Sequence, residues 1–229
     1  MGPQTMVTLQ QADLVHLPIF YDRAEIQRFY YDMSRKLYGG YASLAFVPGN
    51  TELFTVYGNG GSSRFQLLPD RFRIIESNSG IKPEDFKSRF EVTMASAAAI
   101  FGVTDFPLQT VKLVALSQPL LWDDAVDFLA CKICGMEPED LAAFGRRATV
   151  FTMNFRFLAT PDEHNNFNVK IEAIEPAQKT VVMEVEGTFS ESVTPQSLSL
   201  GAANVQKTYD FIGEKLLAFL NRFDKKPED

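Results

Sequence analysis

NFNVKIEAIEPAQKTVVMEVEGTF, residues 166–189, alternates apolar and polar residues in two runs that are separated by a short loop. Alternation with a period of two is typical of strands that bury one face, and a short loop favours antiparallel neighbours. If Val169 pairs with Val185, Ile171 with Met183 and Ala173 with Val181, the two apolar faces coincide and Lys170 lies opposite Glu184. The segment therefore predicts a hairpin with one face in the core.

Six further segments carry strand patterns. In ATVFTMNFRFL (148–158), four apolar residues share one face: Phe151, Met153, Phe155 and Phe157. The segment 64–75 contains Pro69, which predicts a bulge or an edge position because proline cannot donate a hydrogen bond to the sheet. Besides 166–174 and 180–189, the predicted strands are 7–17, 41–47, 52–57, 64–75, 108–118 and 148–158.

Helical spacing of apolar residues marks four other segments. The predicted helices are 22–38, 82–102, 123–134 and 203–223, with a short additional helix over 138–144 that Gly145 closes. The starts IKPEDF (81–86) and MEPEDL (136–141) share one design. Proline stands at the first helical position and acidic residues follow it, an arrangement that favours helix initiation.

The predicted elements have the same order in both halves of the chain. Each half consists of a strand, a helix, three strands and a helix, and the halves have nearly equal length. Successive strands with short loops favour antiparallel pairing, so the predicted fold class is α+β, with mainly antiparallel sheet and packed helices. We interpret the order as an internal duplication of a β-α-β-β-β-α unit, with halves at 1–105 and 106–229. One continuous domain is the alternative to two separate ones.

Composition and charge restrict the classes of partner. The net charge of −7 argues against nucleic acid, because phosphate binding depends on Lys and Arg. No apolar run approaches the ~18 residues of a membrane span, and the first residues lack the pattern of a secretory signal. We therefore expect a cytoplasmic protein with no nucleic-acid and no membrane partner. The 20 phenylalanines predict a large core, an apolar pocket or an apolar interface.

CKICG (131–135) is the segment that most resembles catalytic machinery. A redox cysteine pair sits at a helix N-terminus, where the dipole lowers the thiol pKa, whereas this pair ends a predicted helix. A structural zinc site needs four ligands, and the sequence has no second cysteine pair. We interpret Cys131 and Cys134 as structural residues before Gly135, which ends the helix.

Other polar motifs also have simpler explanations. YGNGGSSRF (57–65) joins two predicted strands and lacks the lysine of a phosphate-binding loop, so it predicts a hairpin turn. Arg71 with Arg73, and Arg146 with Arg147, allow an anion site, although charge that protects strand edges is the commoner explanation. Neither histidine stands in a catalytic motif. We assign no catalytic residue, no metal ligand and no cofactor.

Three segments carry a resemblance to a known family: FGRRATVFTMNFRFL (144–158), NFNVKIEAIEP (166–176) and TYDFIGEKLLAFLNRFD (208–224). Together they resemble a sporadically distributed bacterial family of uncharacterised proteins of about this length. The resemblance covers mostly the C-terminal half and implies no active site, because that family has none to transfer. The duplicated order is also similar in outline to the saddle of TATA-box-binding proteins, although the acidic charge argues against DNA.

Two hypotheses about function follow. The first is a non-catalytic interaction or assembly module, a homo-oligomer or the binder of a protein partner, that uses phenylalanine-rich strand faces or an exposed sheet edge. The second is a binder of a small apolar ligand, or a cryptic enzyme, with a pocket between sheet and helices. The residues expected to line that pocket are Phe151, Met153, Phe155 and Phe157. The weakness of the catalytic motifs favours the first hypothesis.

Overall fold

The computed structural model describes residues 5–37, 41–47, 49–146, 148–174 and 179–224. The strands are β1 (Thr5–Val15), β2 (Ser43–Val47), β3 (Asn50–Val56), β4 (Ser62–Leu68), β5 (Arg71–Ser77), β6 (Leu108–Ser117), β7 (Val150–Phe157), β8 (Asn165–Ile174) and β9 (Val181–Phe189). The helices are α1 (Arg23–Lys36), α2 (Pro83–Phe101), α3 (Ala125–Asp127), α4 (Pro138–Ala142), α5 (Leu198–Asp210) and α6 (Leu217–Phe223). π-Helical segments follow α3 (Phe128–Ile133) and α5 (Phe211–Leu216).

All nine described strands belong to one antiparallel sheet, in the order β2-β3-β4-β5-β1-β6-β9-β8-β7. β1 and β6 are neighbours at its centre, so strands from both halves of the chain form one continuous sheet. β2 and β7 lie at its two edges. The predicted α+β class with an antiparallel sheet is confirmed.

The hairpin of β8 and β9 has the register that the sequence predicts. The pairs are Val169 with Val185, Ile171 with Met183, Ala173 with Val181 and Lys170 with Glu184. All six apolar members are buried, which is why the register is strongly specified. Lys170 and Glu184 lie opposite each other, but each forms its ion pair with another residue. Lys170 Nζ contacts Glu172 at 2.6 Å, and Glu184 contacts Lys112 Nζ at 2.7 Å. Most of the predicted loop, residues 175–178, lies outside the described residues.

Helices cover one face of the sheet, and aromatic rings fill much of the core beneath them. In the first half, the ring of Phe72 lies 6.1 Å from that of Phe65 and 6.0 Å from that of Phe101. Phe29 of α1 lies 5.1 Å from Phe65, and these tilted arrangements suit aromatic quadrupoles. The many phenylalanines of the sequence are therefore largely explained by the core.

The two helices of the first half begin and end where the sequence signals place them. Asp22 caps α1, since its carboxylate accepts a hydrogen bond from the Ala24 amide at 2.7 Å. Pro83 opens α2, and Gly102 ends it with a φ of 68°, a conformation that glycine adopts without strain. The predicted helices 22–38 and 82–102 are thus confirmed to within two residues.

The predicted single strand 64–75 is wrong, because β4 and β5 occupy this segment as a hairpin. Pro69 and Asp70 form the turn instead of a bulge. Their carbonyl groups are satisfied from outside the hairpin: the Ile19 amide donates to Pro69 at 2.9 Å and the His16 amide donates to Asp70 at 2.8 Å. The first half therefore has four strands after its first helix, where the sequence predicted three.

Two helix predictions in the second half need correction. The last helix begins at Leu198, not at residue 203, because the buried stripe extends back through Ala202 and Leu198. The segment 123–134 is α-helical only over α3 and then becomes π-helical. The wider π-turn buries Phe128, Leu129 and Ala130 in succession, which an apolar stripe with a spacing of 3.6 residues does not anticipate.

Candidate interaction surface

Strand β7 has a hydrogen-bonded neighbour on one side only among the described strands. Its other side presents a row of backbone N–H and C=O groups, and we call this side, with its apolar residues, the β7 edge. The exposed apolar residues here are Val150 (49%), Phe155 (39%), Phe157 (48%) and Leu158 (63%). Exposed edges are usually protected by charge, proline or a bulge, and in the eight residues of β7 Arg156 is the one charged residue.

The four residues predicted to bind a ligand lie together on the helix-facing side of β7. Phe151 and Met153 pack against the core, whereas Phe155 and Phe157 are only half-buried. Their partners on β8 are the buried residues Ala173, Ile171, Val169 and Phe167. The helix-facing side of the strand thus packs against the core at its start and is more exposed at its end. The assignment of these four residues as ligand-binding stays a prediction.

Aromatic contacts hold the exposed end of β7 against the C-terminal helices. The ring centroid of Phe155 lies 6.1 Å from Phe219 of α6, and that of Phe157 lies 5.4 Å from Phe211. Phe211 also stacks on Phe167 of β8 at 4.3 Å. Because these helices stop at β7, the outer sides of Phe155 and Phe157 stay uncovered. An additional strand beside β7 would cover them.

On the side of β7 that faces away from the helices, the residues after Val150 are polar. The Thr152 hydroxyl donates a hydrogen bond to Glu172 Oε2 at 2.9 Å, and Lys170 Nζ lies 2.6 Å from the same oxygen. These contacts, that of Lys170 first, hold the pKa of Glu172 below its usual value. Arg156 is exposed, and within the described residues no carboxylate lies within 4 Å of it. Its charge is therefore available to a partner.

A cavity of about 650 Å³ lies beside α4. Trp122 and Ala148 line the cavity, and Ala148 stands two residues before β7. The exposed residues Leu120 and Leu121 precede Trp122, and their amides donate to the Asp224 carboxylate at 2.6 and 3.0 Å. The residue after the last helix thus fixes this loop.

Cys131 and Cys134 are not joined by a disulfide. Cys131 is half-buried and lines the same cavity, whereas Cys134 is exposed, with its Sγ 3.4 Å from Met153 Sδ. Burial raises the pKa of both thiols, and the Asp127 carboxylate adds to the rise at Cys131. Gly135 follows with a φ of 68°, as expected at a helix end. These observations support the structural interpretation of CKICG.

One buried carboxylate, Glu76 on β5, has a perturbed pKa. It accepts hydrogen bonds from Ser63 Oγ at 2.6 Å and from Arg89 Nη1 at 2.9 Å, and its side chain has no exposed surface. Burial raises its pKa, and the Ser63 and Arg89 contacts oppose the rise. The group lies beneath α2 and away from the surface, so this geometry serves the core. The sequence analysis did not identify it.

Two of the four arginines considered for an anion site, Arg71 and Arg73, have carboxylate partners. Arg73 Nη2 lies 2.7 Å from Asp13, whose side chain is 2% exposed, and Arg71 Nη2 lies 2.8 Å from Asp70. A guanidinium that already holds a carboxylate has little affinity left for a second anion. Arg146 is exposed, and its neighbour at 147 lies outside the described residues.

A second cavity, of about 690 Å³, lies between the segment 16–21, α1 and the ends of the neighbouring strands, and we call it the α1 cleft. Residues that line it include Ile19, Phe20, Arg23, Ile26, Phe46 and Asn50. Phe20 is fully exposed at its rim. No pattern in the sequence predicted this cleft, although the apolar run LPIFY (17–21), which links the predicted strand 7–17 to the predicted helix 22–38, was an available signal.

Within the described part of the chain, no helix has the length and apolar character needed to cross a membrane. The same residues contain no cluster of three or more His, Cys, Asp or Glu side chains that could hold a metal ion. No model of a known protein family matches the chain, and a search of characterised proteins gives no match.

Proposed function

We propose that the protein is a non-catalytic assembly module in which two copies join through their β7 edges. The observation that carries this proposal is the position of a long apolar strand, with half-exposed Phe155 and Phe157, at an edge of the sheet. Pairing with a second strand satisfies the edge backbone groups and removes the two rings from water at once. The partner of the protein is thus a second copy of the same chain.

The internal duplication, which we propose as the origin of the sheet, explains why this edge is open. In this duplication the corresponding strands are β1 and β6, β5 and β9, β4 and β8, and β3 and β7. β2, which covers the outer side of β3, then has no counterpart among the described strands of the second half. A counterpart of β2, which would be the tenth strand of the sheet, would lie at the β7 edge. A strand from another copy can pair there in the antiparallel direction.

When β7 pairs with β7 of a second copy, one register brings the apolar residues of both strands onto the same side of the sheet. With Asn154 on the two-fold axis, Phe155 lies opposite Met153 of the other copy and Phe157 lies opposite Phe151. All four side chains are then on the helix-facing side, where Phe155 and Phe157 are incompletely covered. A two-fold interface of this kind closes after two copies, whereas pairing β7 with β2 would propagate into a filament.

Charge on the other face supports the same arrangement. In this register Arg156 of one copy lies opposite Thr152 of the other, and Thr152 is hydrogen-bonded to Glu172. A long arginine side chain reaches across one strand to that carboxylate, which gives the interface a symmetric pair of ionic contacts. Arg156 has no such contact within the described residues of one copy.

We further propose that protein, and not nucleic acid or membrane, is the class of partner, and that the site of action is the cytoplasm. What supports this is the neutralised open face of the sheet, where cations are matched by carboxylates. The pairs are Arg73 with Asp13, Lys112 with Glu184, and Lys170 with Glu172. Phosphate binding requires cations that are not already paired. The resemblance to an uncharacterised bacterial family suggests a bacterial setting.

The proposal is tested by the mass of the protein in solution, measured by light scattering, for the wild type and Asn154→Lys. Two lysines facing each other at the axis repel, so we expect a wild-type dimer and a monomeric variant. Asn168→Lys makes the same change on β8, one strand in from the edge, and should stay dimeric. A monomeric wild type, or a dimeric Asn154→Lys variant, would contradict the proposal.

A further inference from the structure

The α1 cleft has the size and lining of a small-molecule site. Its volume of about 690 Å³ falls within the ~300–1,000 Å³ that is usual for ligand pockets. Ile19, Ile26 and Phe46 give it apolar walls, and two polar groups, on Arg23 and Asn50, interrupt them. A few polar groups in an apolar cavity are what fixes the orientation of a ligand.

The first polar group is the guanidinium of Arg23, at the start of α1. Its Cζ atom lies 5.1 Å from the centre of the Phe46 ring, so a cation–π contact holds it at the cleft. Within the described residues, no carboxylate lies within 4 Å of it. Unlike Arg71 and Arg73, Arg23 therefore has its hydrogen-bond donors available for an anion.

The second polar group is the side-chain oxygen of Asn50, at the start of β3. This Oδ1 atom is buried and accepts no hydrogen bond from any described residue. A buried acceptor without a donor costs roughly 1–3 kcal/mol, so its satisfaction by a ligand is favourable. The residue lines the cleft, and since Oδ1 itself has no exposed surface, a rotation of the Asn50 side chain brings it to a ligand N–H or O–H, its complementary group.

The rim of the cleft is fixed before any ligand binds. The Tyr21 hydroxyl donates to the Leu68 carbonyl at 2.5 Å, and the Ile19 amide donates to the Pro69 carbonyl at 2.9 Å. These bonds tie the segment 16–21 to the β4–β5 turn. A preformed cavity binds a small ligand without the entropic cost of ordering a loop.

We propose that the α1 cleft binds a small amphipathic carboxylate. The apolar body of the ligand lies against Ile19, Ile26 and Phe46, its carboxylate meets Arg23, and an amide N–H or a hydroxyl donates to Asn50 Oδ1. Arginine favours this anion because its planar fork matches the two carboxylate oxygens. This site is separate from the β7 edge and holds whether or not two copies associate.

The test uses N-octanoylglycine, which combines an alkyl chain, an amide N–H and a carboxylate, and measures its affinity by calorimetry. N-Octanoylglycinamide is the matched ligand without charge, and octanoate is the matched ligand without the amide. Arg23→Gln is the test variant, and Arg28→Gln, an exposed change on the same helix, is the control. Thermal unfolding of each variant verifies that the fold is intact.

We expect the wild type to bind N-octanoylglycine at one site per chain and more tightly than either matched ligand. Arg23→Gln should weaken the binding of N-octanoylglycine by about tenfold and leave that of N-octanoylglycinamide unchanged. Arg28→Gln should change neither affinity. Failure of the wild type to bind, equal affinity for the charged and neutral ligands, or an affinity unaffected by Arg23→Gln would each overturn the proposal.

Discussion

Arg89 of α2 places its guanidinium 2.9 Å from the Glu76 carboxylate, where the Glu76 side chain has no exposed surface. A buried ion pair is costly to form, but removal of one partner leaves an isolated charge in the core. The charge of Glu76 is thus tolerated because of Arg89 and the Ser63 hydroxyl, which opposes the burial that raises the Glu76 pKa.

Arg89→Met should therefore destabilise the protein by about 3 kcal/mol at neutral pH. Burial already raises the pKa of Glu76, and loss of Arg89 raises it further, so protonation relieves the penalty as the pH falls. The measurement is urea unfolding at several pH values. The stability gap to the wild type should narrow at acidic pH, and a gap that does not change with pH would show that charge is not the cause.

His16 should make the stability of the protein fall at mildly acidic pH. Burial lowers the pKa of the His16 ring. The hydrogen bond that Nδ1 donates to the Leu17 carbonyl and the nearby Asp70 carboxylate both raise this pKa, but burial has the larger effect. Arg71 lowers the pKa further. Because the folded pKa is below the unfolded value of 6.5, the unfolded chain binds the proton first as the pH falls. Stability is therefore fully present above about pH 6.5 and declines below it.

The check on His16 is the unfolding free energy of His16→Gln between about pH 7.5 and pH 5. The stability difference between the wild type and this variant should shrink towards pH 5, because only the wild type gains the buried charge. His164→Gln removes the other histidine at an exposed turn and serves as the control. If the unfolding free energies of the wild type and His16→Gln changed with pH in the same way, His16 would not be the cause of the change.

Two helical glycines should respond to alanine in opposite directions. A Cβ atom at Gly201 of α5 would lie 2.9 Å from Phe90 of α2, so Gly201→Ala should cost about 1–3 kcal/mol through overpacking. At Gly213 nothing lies within 4 Å of the added atom, and alanine should stabilise by about 0.5–1 kcal/mol. Thermal unfolding of the two variants distinguishes them, and equal effects would contradict the close packing of α2 and α5.

The thiols should react slowly with alkylating reagents near neutral pH. Burial raises the pKa of both thiols, and the Asp127 carboxylate adds to the rise at Cys131, so little thiolate is present. Mass spectrometry of iodoacetamide-treated protein should show slower labelling of both cysteines than of N-acetylcysteine. Asp127→Asn should accelerate labelling at Cys131 more than at Cys134. Rapid labelling of Cys131 at pH 7 would restore a catalytic interpretation of CKICG.

Much of the sheet could be predicted from the sequence because its strands bury one face. Alternation supports the pairing of Val169 with Val185, since a shift by one residue would expose the whole apolar face. Pro69 shows where such reasoning stops. Proline is compatible with a bulge, an edge or a turn, and the contacts from Ile19 and His16 that select the turn are distant in sequence.

The candidate surfaces were harder to predict. Alternation placed Phe155 and Phe157 on one face, but their exposure depends on the position of β7 at the end of the strand order. That order is a property of the whole fold and not of the segment. The α1 cleft brings Arg23 together with Asn50, from elements that are separated by β2, and no local pattern reports this proximity.

Amide hydrogen exchange along β7 tests the central claim, the pairing of two β7 strands, most directly. The β7 amides that point away from β8 should be protected at high protein concentration and should lose protection on dilution and in Asn154→Lys. The amides bonded to β8 should stay protected throughout. Outward amides that exchange freely at every protein concentration would contradict the claim.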